Sequence, residues 1–192
     1  MRRHPLWHNL MRSRSSEEDA RHLLKQTPIF ADLSRRELDA IERIVYHREY
    51  ETGQTIFHQG EPGVCMYIVK KGQVAIVQHP SNMVLAELVK GDFFGEITLL
   101  NETPRSASAT TTARTELLAI PQSDLMSLLT RNTRLGVKVL LPLARITSQR
   151  LMRINDDMEQ LHLQHEALLN PSPQANDTNG ASSRSTAGTT LE

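Results

Sequence analysis

The sequence has no net charge, only one cysteine and no long apolar run. Its 22 lysine and arginine residues balance 22 aspartate and glutamate residues, so no global field attracts nucleic acid or an anionic membrane. Cys65 has no second cysteine to pair with, which suits a reducing compartment. No apolar stretch approaches the about 18 residues that span a bilayer, and the N-terminus lacks the apolar centre of a secretory signal. We therefore expect a cytoplasmic protein.

The two ends of the chain are expected to lie outside a folded core. Residues 1–16 are rich in arginine and contain no acid, which predicts a flexible basic arm. Residues 170–192 are rich in proline, serine, threonine, glycine and asparagine, so they cannot offset their ordering entropy by burial and are predicted to be disordered. Leu191-Glu192 resembles the remnant of an expression tag.

Residues 17–132 are predicted to form the one domain that this length supports. Acidic residues after Ser16 favour a helix start, and Thr27-Pro28 ends that helix. A second helix begins at residues 32–34. Short β-type runs with turn residues between most of them follow, and they span residues 46–50, 55–58, 66–70, 74–78, 84–89, 106–112 and 116–120. Such a series favours an antiparallel barrel or roll.

Residues 133–169 are predicted to form a long C-terminal helix. Its apolar positions step by alternating threes and fours, which is a heptad seam. The seam residues are Ala144, Thr147, Leu151, Ile154, Met158, Leu161, His165 and Leu168. A coiled-coil homodimer through this helix is expected. The same stripe could instead fold back onto the β-roll of its own chain.

The segment from Gly91 to Ser108 carries the chemistry. It reads as a loop, a one-turn helix that opens at Gly95-Glu96, and a second loop that brings Arg105 into a strand of small residues. Unpaired N–H groups at such a helix start attract an anion, and a guanidinium suits two phosphate oxygens. The sequence therefore indicates an anion site.

Glu96 next to an anion needs an explanation, because its carboxylate would repel a phosphate. A carboxylate can accept a sugar hydroxyl, so a ligand with one negative charge and a nearby free hydroxyl satisfies both residues. A cyclic nucleotide has that layout. Taken alone, Glu96 could also be an ordinary acid at a helix start, and Arg105 a solvated surface residue.

The segments Gly95-Glu96-Ile97-Thr98-Leu99-Leu100 and Pro104-Arg105-Ser106-Ala107-Ser108 closely resemble the phosphate-binding cassette of cyclic-nucleotide-binding domains. Such domains occur in the catabolite activator protein, the regulatory subunits of protein kinase A and cyclic-nucleotide-gated channels. The glycine framework, at Gly53, Gly60, Gly72 and Gly91, agrees. The resemblance covers roughly residues 27–130 and the helix that follows.

This resemblance implies a mainly β fold with flanking helices: a jelly-roll-like, double-stranded β-helix or β-roll, with N-terminal helices and a long C-terminal helix. It implies that Glu96 binds the ribose 2′-hydroxyl and Arg105 the exocyclic phosphate oxygens. The implied ligand is cAMP or cGMP, without a metal. The implied ligand-binding set is Gly95, Glu96, Ile97, Thr98, Arg105, Ser106, Ala107 and Arg150. Arg150, like Thr147 and Leu151, serves equally well as a residue of the seam or surface.

The expected function is that of a sensor or regulatory protein without a catalytic step, which signals by moving its C-terminal helix to an unidentified effector protein. One alternative is the sensor part of an activator-type transcription regulator that lacks its DNA-binding module, because low-complexity sequence stands where a helix-turn-helix would follow. Another is a degenerate dimerisation module that binds no nucleotide. DNA and membrane binding by this chain are not expected. No nucleophile paired with a base is evident in the sequence.

Overall fold

The computed structural model describes residues 19–100 and 103–169, with side chains up to residue 165. The predictions for the basic arm at 1–16 and for the tail at 170–192 lie outside these residues. The N-terminal part contains helix α1, described over residues 19–26, a short 3-10 turn at Pro28–Phe30 and helix α2 at Arg35–Glu42.

Eight strands and three further helices follow. The strands are β1 (Tyr46–Tyr50), β2 (Thr55–Phe57), β3 (Cys65–Lys71), β4 (Val74–Gln78), β5 (Met83–Leu88), β6 (Phe93–Phe94), β7 (Ser108–Thr111) and β8 (Thr115–Pro121). The helices are α3 (Ile97–Leu100), α4 (Gln122–Arg131) and α5 (Thr133–Leu169).

The strands form two four-stranded antiparallel sheets. The first sheet has the order β1-β8-β3-β6, and the second has the order β2-β7-β4-β5. Strands that are distant in sequence lie side by side in both sheets, so the chain alternates between the two layers of a roll. The mainly β fold with N-terminal helices and a long C-terminal helix is thereby confirmed.

Both faces of β3, in the first sheet, are buried from Met66 to Val69. Alternate residues of β3 point to opposite sides, so Met66 and Ile68 pack against the helices while Tyr67 and Val69 line the inside of the roll. This double burial explains why β3 is a continuous apolar run instead of an alternating one. The helical layer supplies buried residues from α1, α2, α4 and the first turns of α5, among them Leu24, Ile41, Leu125, Leu135 and Val139.

The structure differs from the sequence-based expectation at two places near the cassette. Strand β6, at Phe93–Phe94, was not predicted, because two residues give no periodicity and only their pairing with Tyr67 and Ile68 defines them. Helix α3 begins at Ile97, not at Gly95-Glu96 as expected, because Gly95 has a φ of +73° and cannot belong to a right-handed helix.

Helix α5 contains the boundary between two compact units, one that ends at Ser148 and one that begins at Gln149. In the first unit, Leu135, Val139 and Leu143 of α5 are buried. In the second unit, Leu151, Ile154, Met158 and Leu161 are 57% to 65% exposed. No helix among residues 19–100 and 103–169 is long and apolar enough to cross a membrane.

Candidate functional site

Gly95 makes room for the side chain of Arg105. It follows β6 directly, and its φ of +73° lies in the left-handed region that side chains with a Cβ rarely adopt. A Cβ at this position would lie 2.5 Å from Nη1 of Arg105 and 3.2 Å from the carbonyl oxygen of Cys65. Glycine is therefore required here both by the backbone and by the space.

The residues after Gly95 form the rim of the site. Glu96 is only 4% exposed, and Thr98 is also buried. The hydroxyl of Thr98 donates a hydrogen bond to the carbonyl oxygen of Gly95 at 2.9 Å. Ile97 is exposed. Glu96 is one of the two residues that the sequence analysis singled out, and Arg105 is the other.

Arg105 is 5% exposed and is held by oxygen atoms around the plane of its guanidinium. Nη1 donates to the carbonyl oxygen of Gly95 at 3.2 Å and to the hydroxyl of Thr98 at 3.3 Å. Nη2 donates to the carbonyl oxygen of Cys65 at 2.6 Å. The side chain is thus fixed to the start of β3 and to the turn before α3.

One edge of the guanidinium has donors to spare. Nε of Arg105 is buried and has no hydrogen-bond partner within residues 19–100 and 103–165. Nη2 carries two N–H bonds, one of which donates to the carbonyl oxygen of Cys65. Leaving a buried donor unpaired costs free energy. Nε–H and Nη2–H are the two donors that bind an oxyanion side by side. This edge is therefore suited to two oxygens of a phosphate.

Arg105 is also short of negative charge. Burial lowers the pKa of its guanidinium, while Tyr67, Cys65, Glu96 and Glu61 act in the opposite direction. Arginine nonetheless stays protonated in proteins. Among residues 19–100 and 103–165, no carboxylate forms an ion pair with Arg105 within 4.0 Å. An anion that enters the site would supply the missing charge.

Two of the groups around Arg105 do not neutralise it at neutral pH. Burial raises the pKa of Tyr67 to about 12, and it also raises the pKa of the Cys65 thiol. Both groups are therefore uncharged near pH 7. The carboxylates of Glu96 and Glu61 remain as the nearby acids that act on Arg105.

The segment that carries Arg105 is pinned to the loop between β2 and β3. The backbone N–H of Arg105 donates to the carbonyl oxygen of Glu61, and the N–H of Gly60 donates to the carbonyl oxygen of Arg105, both at 2.9 Å. The N–H of Gln59 donates to the hydroxyl of Ser108 at 2.9 Å. These bonds fix the position of the arginine independently of its side chain.

The small residues after Arg105 are placed differently from one another. Ser106 is exposed, whereas Ala107 and Ser108 are buried. Hydrogen bonds join Gly95, Thr98 and Arg105. Glu96 and Ala107 are buried as well, whereas Ile97 and Ser106 are exposed. Arg150 lies on α5 in the unit that begins at Gln149, and its role in the site stays a prediction.

An aromatic cluster below Arg105 was missed by the sequence reasoning. The rings of Tyr67 and Phe94 stack at 5.3 Å between centroids, and Phe57 lies 6.0 Å and 5.9 Å from them. Cζ of Arg105 lies 3.9 Å from the centroid of Phe57. The sequence offered one signal for this cluster. The chain has only four phenylalanines and three tyrosines, and four of these seven residues lie in β2, β3 and β6.

The structure shows no metal centre. Within residues 19–100 and 103–165, no group of three His, Cys, Asp or Glu side chains is arranged to hold a metal ion. The fold and the site together define a β-roll that holds a buried arginine near a buried carboxylate.

Comparison with known proteins agrees with that class. Residues 47–132 match the family model of the cyclic nucleotide-binding domain. The cyclic AMP receptor protein of Thermus thermophilus is 37% identical over 111 residues, which are 56% of this chain and 51% of that protein. The cAMP-dependent protein kinase regulatory subunit of Yarrowia lipolytica is 36% identical over 94 residues, which are 49% of this chain and 24% of that protein.

A solved structure supports the same assignment. The catabolite activator protein of Thermus thermophilus superposes with a TM-score of 0.62 at 34% identity, covering 70% of this chain and 63% of that one. The β-roll at residues 47–132 is thus assigned to the cyclic nucleotide-binding domain family. It spans about half or less of the length of the two curated relatives described here.

Proposed function

We propose that this chain binds cAMP or cGMP and acts as a sensor without a catalytic step. The observation that carries the proposal is the buried guanidinium of Arg105, whose Nε has no hydrogen-bond partner among the described residues, near the buried carboxylate of Glu96. A buried cation with a free donor edge favours an oxyanion, and a buried carboxylate favours a hydroxyl donor. A cyclic nucleotide offers both groups at a fixed spacing.

The residues take the following roles in this proposal. Arg105 binds the exocyclic phosphate oxygens through Nε and Nη2, and Glu96 accepts the ribose 2′-hydroxyl. Backbone N–H groups near Gly95 and Ala107 complete the cradle, and Thr98 keeps Nη1 of Arg105 in place through its hydroxyl. Arg150, on the long helix, is proposed to cover the base.

Titration with both nucleotides must decide whether the site prefers the adenine of cAMP or the guanine of cGMP. The names of two relatives refer to cAMP, which makes cAMP the first ligand to test. Ser106, whose hydroxyl could contact phosphate or guanine, is exposed and therefore within reach of an entering ligand.

We further propose that occupancy is reported by helix α5. Asn132 separates α4 from α5 with a non-helical backbone, φ −124° and ψ 87°, and its side chain accepts a hydrogen bond from the N–H of Leu135. A single non-helical residue between two helices is a suitable hinge. A ligand can shift α5 only to the extent that it binds one arrangement more tightly than the other.

A homodimer through α5 is part of the same proposal. In the unit that begins at Gln149, the seam residues Leu151, Ile154, Met158 and Leu161 are all exposed, and they repeat with the heptad spacing of a two-stranded coiled coil. A second copy of this helix would bury them. We also propose that an effector protein responds to this helix and that the protein is cytoplasmic.

Two alternatives remain as outcomes of the experiments. The chain could be the sensor part of an activator-type transcription regulator, which a full-length reading frame with a DNA-binding module would establish. It could also be a degenerate module that only dimerises, in which case neither nucleotide would bind.

Calorimetric titration of ligand-stripped protein with cAMP and with cGMP tests the proposal. Arg105→Ala should abolish or strongly weaken binding. Arg114→Ala is the matched control, because it removes the same charge from a side chain that is 70% exposed and pairs with Glu49 and Glu51. If the wild-type protein binds neither nucleotide, the sensor function is rejected in favour of the degenerate module.

A further inference from the structure

We infer that Phe57 is a positioning residue of this site, whose ring holds the guanidinium of Arg105 so that its Nε and Nη2 edge faces the ligand. The inference rests on the proposed function, since it concerns how the arginine meets a phosphate. Phe57 stands at the end of β2, opposite Ala109 of β7, and nothing in the cassette sequence points to it.

The contact is close and is specific to one ring. Cζ of Arg105 lies 3.9 Å from the centroid of Phe57 but 6.0 Å from that of Tyr67. A guanidinium over the face of an aromatic ring is attracted by the ring's negative face, and the attraction strengthens when water is excluded. Arg105 is almost fully buried, so its contact with Phe57 falls in the stronger range.

The ring and the hydrogen bonds restrain different motions of the guanidinium. The carbonyl oxygens of Gly95 and Cys65 and the hydroxyl of Thr98 bind Nη1 and Nη2. Hydrogen bonds to these N–H groups lie near the guanidinium plane, whereas the ring of Phe57 supports one face. Without the ring, the guanidinium could tilt about these bonds and turn its unpaired Nε away from the ligand.

Phe57 is itself held in place. Its ring contacts Tyr67 at 6.0 Å and Phe94 at 5.9 Å between centroids, and these two rings stack on each other. Tyr67 and Phe94 are directly paired residues of β3 and β6. The floor under Arg105 is therefore built on the sheet and not on a loop.

An aromatic ring suits this position better than an acid would. A carboxylate under Arg105 would neutralise the guanidinium and compete with the phosphate of the ligand. A ring stabilises the buried cation without carrying a charge, so the positive charge stays available. This explains how the side chain can be buried without an ion pair to a described carboxylate.

The test uses the full chain and two readouts. The first is a double-mutant cycle in which the Kd for cAMP is measured for wild type, Phe57→Leu, Arg105→Ala and the double variant. Phe57→Leu should raise Kd about tenfold when Arg105 is present, and should change it little in the Arg105→Ala background. Phe57→Tyr keeps the ring and should restore affinity. An equal effect of Phe57→Leu in both backgrounds, or no effect in either, overturns the inference.

The second readout does not need a ligand. The 1H and 15N resonances of the Arg105 Nε–H group, assigned by their loss in Arg105→Ala, should show a ring-current shift that disappears in Phe57→Leu and persists in Phe57→Tyr. An unchanged resonance in Phe57→Leu refutes the positioning role even if no nucleotide binds, so failure of the inference is distinguished from failure of the proposed function. Phe30→Leu is the matched control for the resonance, because it truncates a phenylalanine in the helical core and should leave the shift of the Arg105 Nε–H group unchanged.

Discussion

Lys138 on α5 donates hydrogen bonds to both carboxylate oxygens of Glu37 on α2, at 3.0 Å to Oε1 and 2.9 Å to Oε2. The same carboxylate accepts the backbone N–H and the hydroxyl of Ser34, each at 2.7 Å. One side chain therefore caps α2 and ties α2 to the first turns of α5. These bonds lower the pKa of Glu37 to about 2, with the contribution of Lys138 the largest.

This lowered pKa predicts a loss of stability in acid. Glu37 has a lower pKa in the folded state than the ordinary value of 4.5, so its contribution is present above pH 4.5 and is lost as the pH falls towards 2. Glu37→Gln should flatten the fall in the free energy of unfolding between these values, measured by urea denaturation. Glu87→Gln, an exposed position on β5, serves as the control. If the free energy of unfolding of the wild type depends on pH in the same way as that of Glu37→Gln over this range, the Glu37 carboxylate does not cause the loss of stability.

Arg105 and Glu96 are predicted to contribute unequally to binding. Arg105→Ala should weaken nucleotide binding by about 2 to 5 kcal/mol, the usual effect of truncating one partner of a buried charged pair. Glu96→Ala should cost less, about 1 to 3 kcal/mol, because it loses a hydrogen bond and not the neutralisation of a phosphate. Calorimetry on both variants gives the order, and equal losses would contradict it.

The role of Glu96 can be isolated with the ligand 2′-deoxy-cAMP. Wild type should bind this analogue more weakly than cAMP, because the buried carboxylate loses its hydroxyl donor. Glu96→Ala should bind both ligands equally. A variant that still discriminates between them would place the ribose hydroxyl elsewhere.

Gly95 should be intolerant of a side chain for two separable reasons. Gly95→Ala strains a left-handed backbone and pushes a Cβ towards Arg105, whereas Gly53→Ala has a similar φ of +81° with no atom within 4 Å of the added Cβ. Both variants should lose about 1 to 2 kcal/mol of stability from backbone strain. Only Gly95→Ala should also weaken nucleotide binding, and equal affinities in the two variants would argue against the close approach.

If the proposed dimer forms, substitutions on the seam side of α5 should dissociate it, and substitutions on the other sides of α5 should not. Leu151→Asp with Ile154→Asp should produce a monomer by analytical ultracentrifugation, because it buries charge in the seam. Met152→Asp with Leu163→Asp changes residues that are equally exposed but lie away from the seam, and it should leave the dimer intact. A monomeric wild type, or a dimer that survives the seam variant, would exclude this interface.

Much of the fold followed from local patterns in the sequence. Strands β1 and β4 have the predicted bounds. Turn residues flank β4 on both sides and follow β1 at Gly53. Strand β6 escaped prediction, since Phe93–Phe94 is a strand only through its pairing with β3. Position 95 was assigned to a helix although its glycine adopts a left-handed φ, which propensities do not reveal.

The site was predictable in part for the same reason. Glu96 and Arg105 lie in one short segment, so their resemblance to the cassette was visible in the sequence. The contact between Phe57 and Arg105 joins two residues far apart in the chain, and only the fold brings them within 3.9 Å. The assignment of Arg150 remains a prediction.

Strand β3 belongs to two packing environments at once, since Met66 and Ile68 touch the helices and Tyr67 and Val69 touch the interior of the roll. The partition between the ligand side and the helical side is thus a single polypeptide layer, with no intervening side chains to absorb a displacement. A backbone shift that a ligand imposes on β3 from within therefore reaches the residues that pack on its outer side. Large-to-small substitutions of helical-core residues that pack on β3 should therefore change nucleotide affinity, even though they lie on the far side of the sheet.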